Sequence, residues 1–183
     1  MSDATVPKPY TLELGDKATL VMVYTINMLV RGEMITKEHL RVSTWLRTQG
    51  APDFVGLYNA QVLVFGGPAG AQQTNFAEYY IPTQQIMAYH LVPPIKEALD
   101  YDPSEPNRKM EPATLLVGSF RFNGHIRMAA QTKLGKFLEI ARESFFSFYD
   151  VEITNPGLPS AAPLKVPIAL VRLSTAILAV RSA

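Results

Sequence analysis

Apolar and polar residues alternate along matching stretches in the two halves of the chain and predict paired strands. Residues 19–31 are dense in Val, Tyr, Thr and Ile, which pack well on a pleated sheet surface. This run predicts a strand that turns near Gly32 and returns over residues 34–36. In the second half, Asn-Gly at Gly124 is a strong hairpin signal, and residues 126–129 form the predicted return strand.

The apolar spacing then changes to that of a helix. Four apolar residues recur at i, i+3, i+4 and i+7, which places them on one helical face. They are Leu134, Phe137, Leu138 and Ala141. Thr132 is the predicted N-cap of this helix. In the first half, Ser43 is the predicted cap of a shorter helix that presents Trp45 and Leu46 to the core.

Each half continues with a strand, a loop and two further extended runs. The strands cover residues 55–65 and 146–154, and the loops cover 66–74 and 155–163. The final extended runs cover 76–81 with 85–92, and 165–172 with 174–180. Both halves therefore read strand, strand, short helix, strand, loop, strand, strand.

The same order of residue types recurs between the halves. One constant offset places Gly32 over Gly124 and Trp45 over Phe137, and an offset shorter by one residue places Tyr58-Asn59 over Tyr149-Asp150. Substitutions at the other aligned positions keep size and polarity. We interpret the chain as two copies of one unit.

Prolines and charges accumulate between the two copies. Residues 93–112 hold five of the fourteen prolines. Proline fixes φ and lacks a backbone donor, so this stretch is predicted to be an exposed linker that cannot continue a strand. The predicted organisation is an N-terminal extension (1–18), a first β repeat (19–92), the linker (93–112) and a second β repeat (113–183).

The predicted fold class is mainly β with short helices. A unit of this element order fits a small antiparallel β-barrel plugged by its helix, because closing the sheet removes its unpaired edges. Two tandem barrels are the first interpretation. One fused pseudo-symmetric sheet is the alternative.

Composition and charge narrow the class of partner. The chain has 183 residues, is 48% hydrophobic, and carries a net charge of +1 from 17 basic and 16 acidic residues. A strong basic excess, typical of phosphate-binding surfaces, is missing. The absence of cysteine excludes disulfides, thiolate metal sites and cysteine nucleophiles. The start lacks a signal-peptide pattern, and the apolar run 168–180 is short and contains Arg172, so we expect a cytoplasmic protein without membrane contact.

Motifs for catalysis are also missing from the sequence. The three histidines lack metal-site spacing, and the glycine-rich stretch 66–70 lacks the Lys-Ser/Thr of a phosphate loop. Asn59 and Asp150 are predicted to hydrogen-bond backbone amides at a bulge or turn rather than to contact a ligand. No catalytic or metal-binding residue is assigned, and no cofactor is indicated.

Basic residues cluster beside the predicted helices and could form a face for nucleic acid or another partner. They are Arg31, Lys37, Arg41, Arg47, Arg121, Arg127, Lys133, Lys136 and Arg142. Glutamates interleave with them, which favours a solvated surface of mixed charge.

Residues 40–46 leading to Phe54-Val55-Gly56-Leu57-Tyr58-Asn59 resemble a pattern of uncharacterised bacterial proteins with a repeated small β-barrel unit. In that pattern a glycine precedes an Arg-hydrophobic-Ser helix start, and a Phe-x-x-Leu-x-Asn/Asp strand follows. A looser similarity is to Sm-like barrels, which share a glycine in a bent strand and a later Asn. The helix within the unit departs from the Sm-like pattern, so RNA binding is not implied.

These observations favour a non-enzymatic interaction or assembly protein that self-associates as a homo-oligomer. The apolar run 168–180, if it lies at a sheet edge, offers a pairing surface. Two alternatives remain open at this point. One is single-stranded nucleic-acid binding, and the other is a split-barrel protein that holds a flavin-type cofactor between its two barrels.

Overall fold

Ten strands make up most of the computed structural model, which describes residues 8–47, 50–67 and 70–180. Two short α-helices, α1 (Val42–Trp45) and α2 (Leu134–Ile140), and a 3₁₀ turn at Thr83–Gln85 complete the elements. The strands are β1 (Asp16–Tyr24), β2 (Met28–Lys37), β3 (Phe54–Gly67), β4 (Gly70–Pro82), β5 (Ala88–Leu91), β6 (Arg108–Val117), β7 (Phe120–Ala129), β8 (Phe146–Thr154), β9 (Leu164–Val171) and β10 (Ile177–Ala179).

All ten strands belong to one antiparallel sheet with the order β10-β6-β7-β8-β9-β5-β1-β2-β3-β4. The mainly β prediction is confirmed. The sheet is not closed, so two closed barrels are not confirmed. The physical reason is the pairing of β5, which lies between β1 and β9 and therefore joins the two halves instead of returning to β4. Within the sheet each half presents its strands in the same sequence: last, first, second, third, fourth.

The predicted turns at Gly32 and Gly124 are wrong, because both glycines lie within strands, β2 and β7. The hairpins turn earlier, at residues 25–27 and 118–119. The glycines are needed for close approach instead. A Cβ on Gly124 would lie 2.6 Å from the Tyr149 carbonyl oxygen, and a Cβ on Gly32 would lie 3.0 Å from Leu57 Cβ. At both glycines the facing strand carries a bulge.

The helices begin without the predicted caps. Ser43 lies inside α1, and Lys133 rather than Thr132 is the N-cap residue of α2, without a side-chain cap bond. For α1 the linker takes over this role: the Glu97 carboxylate accepts hydrogen bonds from Val42 N–H (2.8 Å) and Ser43 N–H (3.1 Å). No helix in the described ranges has the length and apolar character needed to cross a membrane.

The predicted apolar face of α2 is only partly buried. Leu134 and Phe137 pack against the core, whereas Leu138 is 40% exposed. The predicted apolar face is therefore packed against the core only over the first turn of α2.

Two stretches predicted as linker and loop contain strand. β6 begins at Arg108, inside the predicted linker 93–112, and includes Pro112 opposite His125. Proline is tolerated there because β10 pairs only with residues 114–116, so the preceding part of β6 is a sheet edge. β4 begins at Gly70, so residues 70–74 of the predicted loop 66–74 are strand.

The two halves share their core residues. A cluster built mainly from the second half, around Phe122 and Phe148, includes Tyr24 and Ala88 of the first half. A second cluster, built mainly from the first half, includes Phe145 and Leu170 of the second half. Because each core is completed by the other half, the two halves support one another.

Candidate functional site

β4 forms one end of the sheet and has an unpaired edge. It pairs with β3 on one side, and no strand of the described residues pairs with its other side. The side chains of residues 70–78 are exposed, and Glu78 is the one charged residue of the strand. Natural edge strands usually carry lysines or other charges that discourage pairing. β4 therefore presents a long edge with little protection against the addition of another strand.

β10 forms the opposite end of the sheet. It pairs with residues 114–116 of β6, and Ile177 is 66% exposed. The apolar run 168–180 offers a pairing surface only where it lies at a sheet edge, and its first part does not. Residues 168–171 lie in β9, which pairs with β8 along its length and with β5 at residues 170–171. Only the end of the run reaches a free edge.

The pairing of β5 with β9, here called the joint, connects the two halves. Ala88 lies opposite Val171, and Tyr89 lies opposite Leu170. Arg172 extends the joint: its backbone N–H donates to the Met87 carbonyl oxygen at 2.8 Å. Its guanidinium donates to Thr83 O at 2.7 Å and Ile86 O at 2.9 Å, and lies 4.4 Å from the centre of the Phe145 ring.

A buried Tyr24–His90 pair lies beside the joint. The His90 Nδ1 atom is 2.8 Å from the Leu91 carbonyl oxygen, which can only accept, so Nδ1 carries the proton. Nε2 then accepts from the Tyr24 hydroxyl at 2.9 Å. Burial lowers the pKa of His90 to about 4, although the hydrogen bond to Leu91 acts in the opposite direction. His90 is therefore a neutral core residue at physiological pH.

The joint leaves little room for a cofactor. A cavity lined by Tyr89, His90, Pro167 and Leu170 has a volume of about 20 Å³. This is enough for about one water molecule. A flavin-type molecule does not fit this cavity. The residues described by the structure also contain no cluster of three or more His, Asp or Glu side chains placed to hold a metal ion.

A polar group that we call the linker cluster ties the linker to the sheet. Its members are Arg47, Asp100, Ser147 and Tyr149. Asp100 accepts hydrogen bonds from Arg47 Nη1 at 3.1 Å, from the Tyr149 hydroxyl at 2.7 Å and from the Ser147 hydroxyl. Ser147 also accepts from Arg47 Nη2. With Glu97 at α1, these bonds fix a linker whose residues are otherwise largely exposed.

The Asp100 carboxylate stays ionised in this cluster. Burial acts to raise its pKa, but the hydrogen bonds from Ser147 and Tyr149 and the charge of Arg47 outweigh burial and hold the pKa below its usual value. Burial and the hydrogen bond to Asp100 raise the pKa of Tyr149. Tyr149 therefore remains a proton donor. The arrangement stabilises an ion pair and suits a structural tether.

The nine predicted basic residues occupy several environments, and four of them form ion pairs. Lys37 pairs with Asp16 (2.7 Å), Arg47 with Asp100 (3.1 Å), Arg127 with Glu105 (2.7 Å) and Lys136 with Glu139 (2.9 Å). Arg31 lies in β2 with Nη1 3.4 Å from Gln61 Oε1, and Arg142 donates to the Glu139 carbonyl oxygen. Arg41, Arg121 and Lys133 are exposed.

The structure brings three of these cations together. Arg47, Arg127 and Arg142 line one open cavity of about 450 Å³, which also contains Tyr101 and Phe137. Arg127 lies 4.4 Å from the centre of the Tyr101 ring. Asp100 and Glu143 also line the cavity, so its charge is mixed.

The paired repeat positions lie at equivalent places in the two halves. Asn59 and Asp150 both adopt positive φ, 50° and 49°, at the bulges facing Gly32 and Gly124. Both residues therefore lie at bulges, and the side-chain amide of Asn59 donates to Glu33 Oε2 at 2.8 Å.

The aromatic repeat positions pack into or against the core. Trp45 and Phe137 pack partly buried against the two clusters. Tyr58 contacts the Tyr10 ring, whereas Tyr149 is buried and joins the linker cluster.

Sequence reasoning missed the tethering carboxylates and the β4 edge. Glu97 and Asp100 lie among the charges of the linker, where a solvated role is the default expectation, and their partners are 47 to 55 residues away in the chain. The low charge of residues 70–82 was a usable signal, but only the strand order shows that they form an edge.

A comparison of the chain with protein-family models, curated proteins and solved structures finds no match.

Proposed function

We propose that this protein is a non-enzymatic assembly protein that self-associates through the unpaired edges of its sheet. The observation that carries the proposal is β4: thirteen residues with one charge, exposed side chains over residues 70–78, and an unpaired side in the described structure. An unprotected edge of this length is a template for strand addition. The exposed Ile177 on β10 supports the same role at the opposite edge.

We further propose that the chain consists of two copies of one unit. The support is threefold: the strand order repeats, the bulges with Asn59 and Asp150 repeat, and a close-packed glycine faces each bulge. The two halves are joined by a last strand, β5, that pairs with a fourth strand, β9. The other last strand, β10, and the other fourth strand, β4, lie at the ends of the described sheet, so a further copy can join by the same kind of contact.

Nucleic-acid binding is the weaker candidate. The cavity with Arg47, Arg127 and Arg142 supports it, but carboxylates already pair with two of these arginines. An arginine that is already paired with a carboxylate displaces few counterions from a phosphate backbone, so it adds little to the affinity for nucleic acid. We expect no shift of a labelled single-stranded oligonucleotide at low salt.

The first test of assembly is the solution mass of the intact chain over a wide range of protein concentration. Light scattering and native mass spectrometry are expected to give multiples of 20.3 kDa. An Ala77→Lys substitution places a charge on the exposed edge strand and is expected to weaken association about tenfold. Ala162→Lys makes the same change in an exposed loop outside the strands and serves as the matched control.

A protein that stays at 20.3 kDa over the whole range contradicts self-association. Equal weakening by Ala77→Lys and Ala162→Lys contradicts the role of β4. A mass surplus corresponding to an oligonucleotide moves the assignment to the nucleic-acid candidate.

A further inference from the structure

We propose that the two free edges pair with each other, so that β10 of one copy adds to β4 of the next copy in the register of the internal joint. This inference rests on the proposed self-association and names its partner as a second copy of this chain. The internal joint supplies the template.

The free edges are the counterparts of the two strands of the joint. β5 pairs antiparallel with the first strand of its half, β1, and β10 pairs antiparallel with β6, the first strand of the other half. β9 pairs with the third strand of its half, β8, and β4 pairs with β3 in the same way. The joint is thus a contact between a last strand and a fourth strand. One further last strand, β10, and one further fourth strand, β4, remain unpaired at the two ends of the described sheet.

The β3–β4 and β8–β9 pairings give the register on the β4 side. Val55 lies opposite Ile81, and its counterpart Phe146 lies opposite Val171. Ile81 therefore occupies the position of Val171, and Tyr80 that of Leu170.

The pairings of the last strands give the register on the β10 side. Val23 lies opposite Tyr89, and its counterpart Leu115 lies opposite Leu178. Leu178 therefore occupies the position of Tyr89, and Ile177 that of Ala88.

Substituting these counterparts into the joint gives the contact between copies. The Ala88–Val171 pair becomes Ile177 with Ile81 of the next copy, and the Tyr89–Leu170 pair becomes Leu178 with Tyr80 of the next copy. One step further, Ala179 lies opposite Tyr79 of the next copy. The contact is apolar at every position, and it covers Ile177, which is 66% exposed, and Tyr80, which is 57% exposed.

The contact between copies lacks three hydrogen bonds of the joint. In the contact between copies, Pro82 takes the position that Arg172 has in the joint. Arg172 donates three hydrogen bonds to the carbonyl oxygens of residues 83, 86 and 87, and proline, which has neither a backbone N–H nor a guanidinium, cannot make their equivalents. Association between copies is therefore weaker than the joint and depends on concentration. Because the two edges differ, the contact is head-to-tail and produces a ring or an open filament.

Engineered cysteines test the register, since the chain contains no natural cysteine. In the joint, the bond from Arg172 N–H to Met87 O shows that Met87–Arg172 is a hydrogen-bonded pair. Hydrogen-bonded and non-hydrogen-bonded pairs alternate along an antiparallel ladder. In the same register, Ala179–Tyr79 is a non-hydrogen-bonded pair, whose close Cα atoms suit a disulfide. We expect Ala179→Cys/Tyr79→Cys to form disulfide-linked ladders on mild oxidation. In Ala179→Cys/Gln73→Cys the second cysteine is displaced by about 20 Å along β4 and should give at least tenfold less product.

Mixing two single variants tests the head-to-tail direction. Ala179→Cys and Tyr79→Cys should each give little product alone and a linked dimer when mixed. Ile177→Lys is expected to weaken association about tenfold. Because this variant keeps Tyr79, it tests the contact even if Tyr79→Cys does not fold.

The outcomes separate this inference from the proposed function. A self-associating chain with equal cross-linking at positions 79 and 73, or with unchanged association in Ile177→Lys, overturns the register while self-association stands. A wild-type chain that is monomeric at every concentration overturns the proposed function and this inference together.

Discussion

Asn59 and Asp150 share the left-handed backbone region, with φ of 50° and 49°, at the equivalent bulge of each half. Both follow a tyrosine in a strand, and both stand next to the point where the register shifts against the neighbouring strand. Short polar residues and glycine tolerate this backbone better than other residues. A bulge bends the strand that carries it, and each of these two bulges faces a close-packed glycine.

The backbone at Asp150 gives the first prediction. Asp150→Ala is expected to destabilise the protein by about 1 kcal/mol relative to Asp150→Gly, because a Cβ without a polar group is strained at positive φ. Urea unfolding of the two variants measures the difference. Asn59→Ala and Asn59→Gly should show the same order, and a reversed order in either pair contradicts the interpretation.

Gly124 gives a second prediction. A methyl group there would lie 2.6 Å from the Tyr149 carbonyl oxygen and 3.0 Å from the Phe148 ring, and a backbone oxygen cannot move aside cheaply. Gly124→Ala is therefore expected to lower the free energy of unfolding by about 2 kcal/mol or more. Gly135→Ala is the control, since a methyl group on that helical residue meets nothing within 4 Å. Equal stabilities for the two variants would show that the close approach is not limiting.

The linker cluster gives a third prediction. Asp100→Asn removes the nearer of the two carboxylates that face Arg47 and is expected to cost about 2 kcal/mol, because the partly buried Arg47 then keeps only the exposed Glu143 carboxylate, 3.9 Å from its Nε. Asp102→Asn changes an exposed neighbour that accepts a hydrogen bond from Ser104 within the same turn, and should leave the stability nearly unchanged. Thermal unfolding of both variants provides the measurement. A similar loss in both would mean that the cluster does not anchor the linker.

The buried His90 gives a prediction about pH. Burial lowers its pKa from the ordinary value of 6.5 to about 4 in the folded protein, so the unfolded chain binds the proton more readily. The contribution of His90 to stability is complete above pH 6.5 and is lost as the pH falls toward 4. The free energy of unfolding should drop by up to about 3 kcal/mol over this range.

The control for this pH effect is a second histidine. His90→Gln should remove most of the drop between pH 6.5 and 4, whereas His39→Gln, at an exposed position, should retain it. A drop of unchanged size in His90→Gln would assign the pH dependence to other groups.

Much of the fold could be read from the sequence because strand periodicity is a local signal. Buried side chains alternate with less buried ones along β7, and the predicted strand 146–154 has the bounds of β8. The correspondence of Tyr58-Asn59 with Tyr149-Asp150 also identified the positions that carry the two bulges. These features depend on residues close together in the chain.

The role of each glycine could not be read in the same way. Asn123-Gly124 has the composition of a hairpin turn, but its backbone lies in the middle of β7. The deciding contact is with Tyr149 on the neighbouring strand, which no local pattern reports. The turns of the two hairpins lie at residues 25–27 and 118–119 and follow from the pairing of whole strands.

Residue patterns alone therefore predict a mainly β chain, its order of elements and a correspondence between positions in its two halves. Tertiary structure decides that β5 pairs with β9, that Glu97 and Asp100 tether the linker, and that β4 and β10 are the ends of one sheet. The physical reason is that hydrophobic alternation specifies which face of a strand is buried but not which strand lies beside it. Neighbours are selected by packing and hydrogen bonding between residues far apart in sequence, and here those neighbours determine which edges remain free.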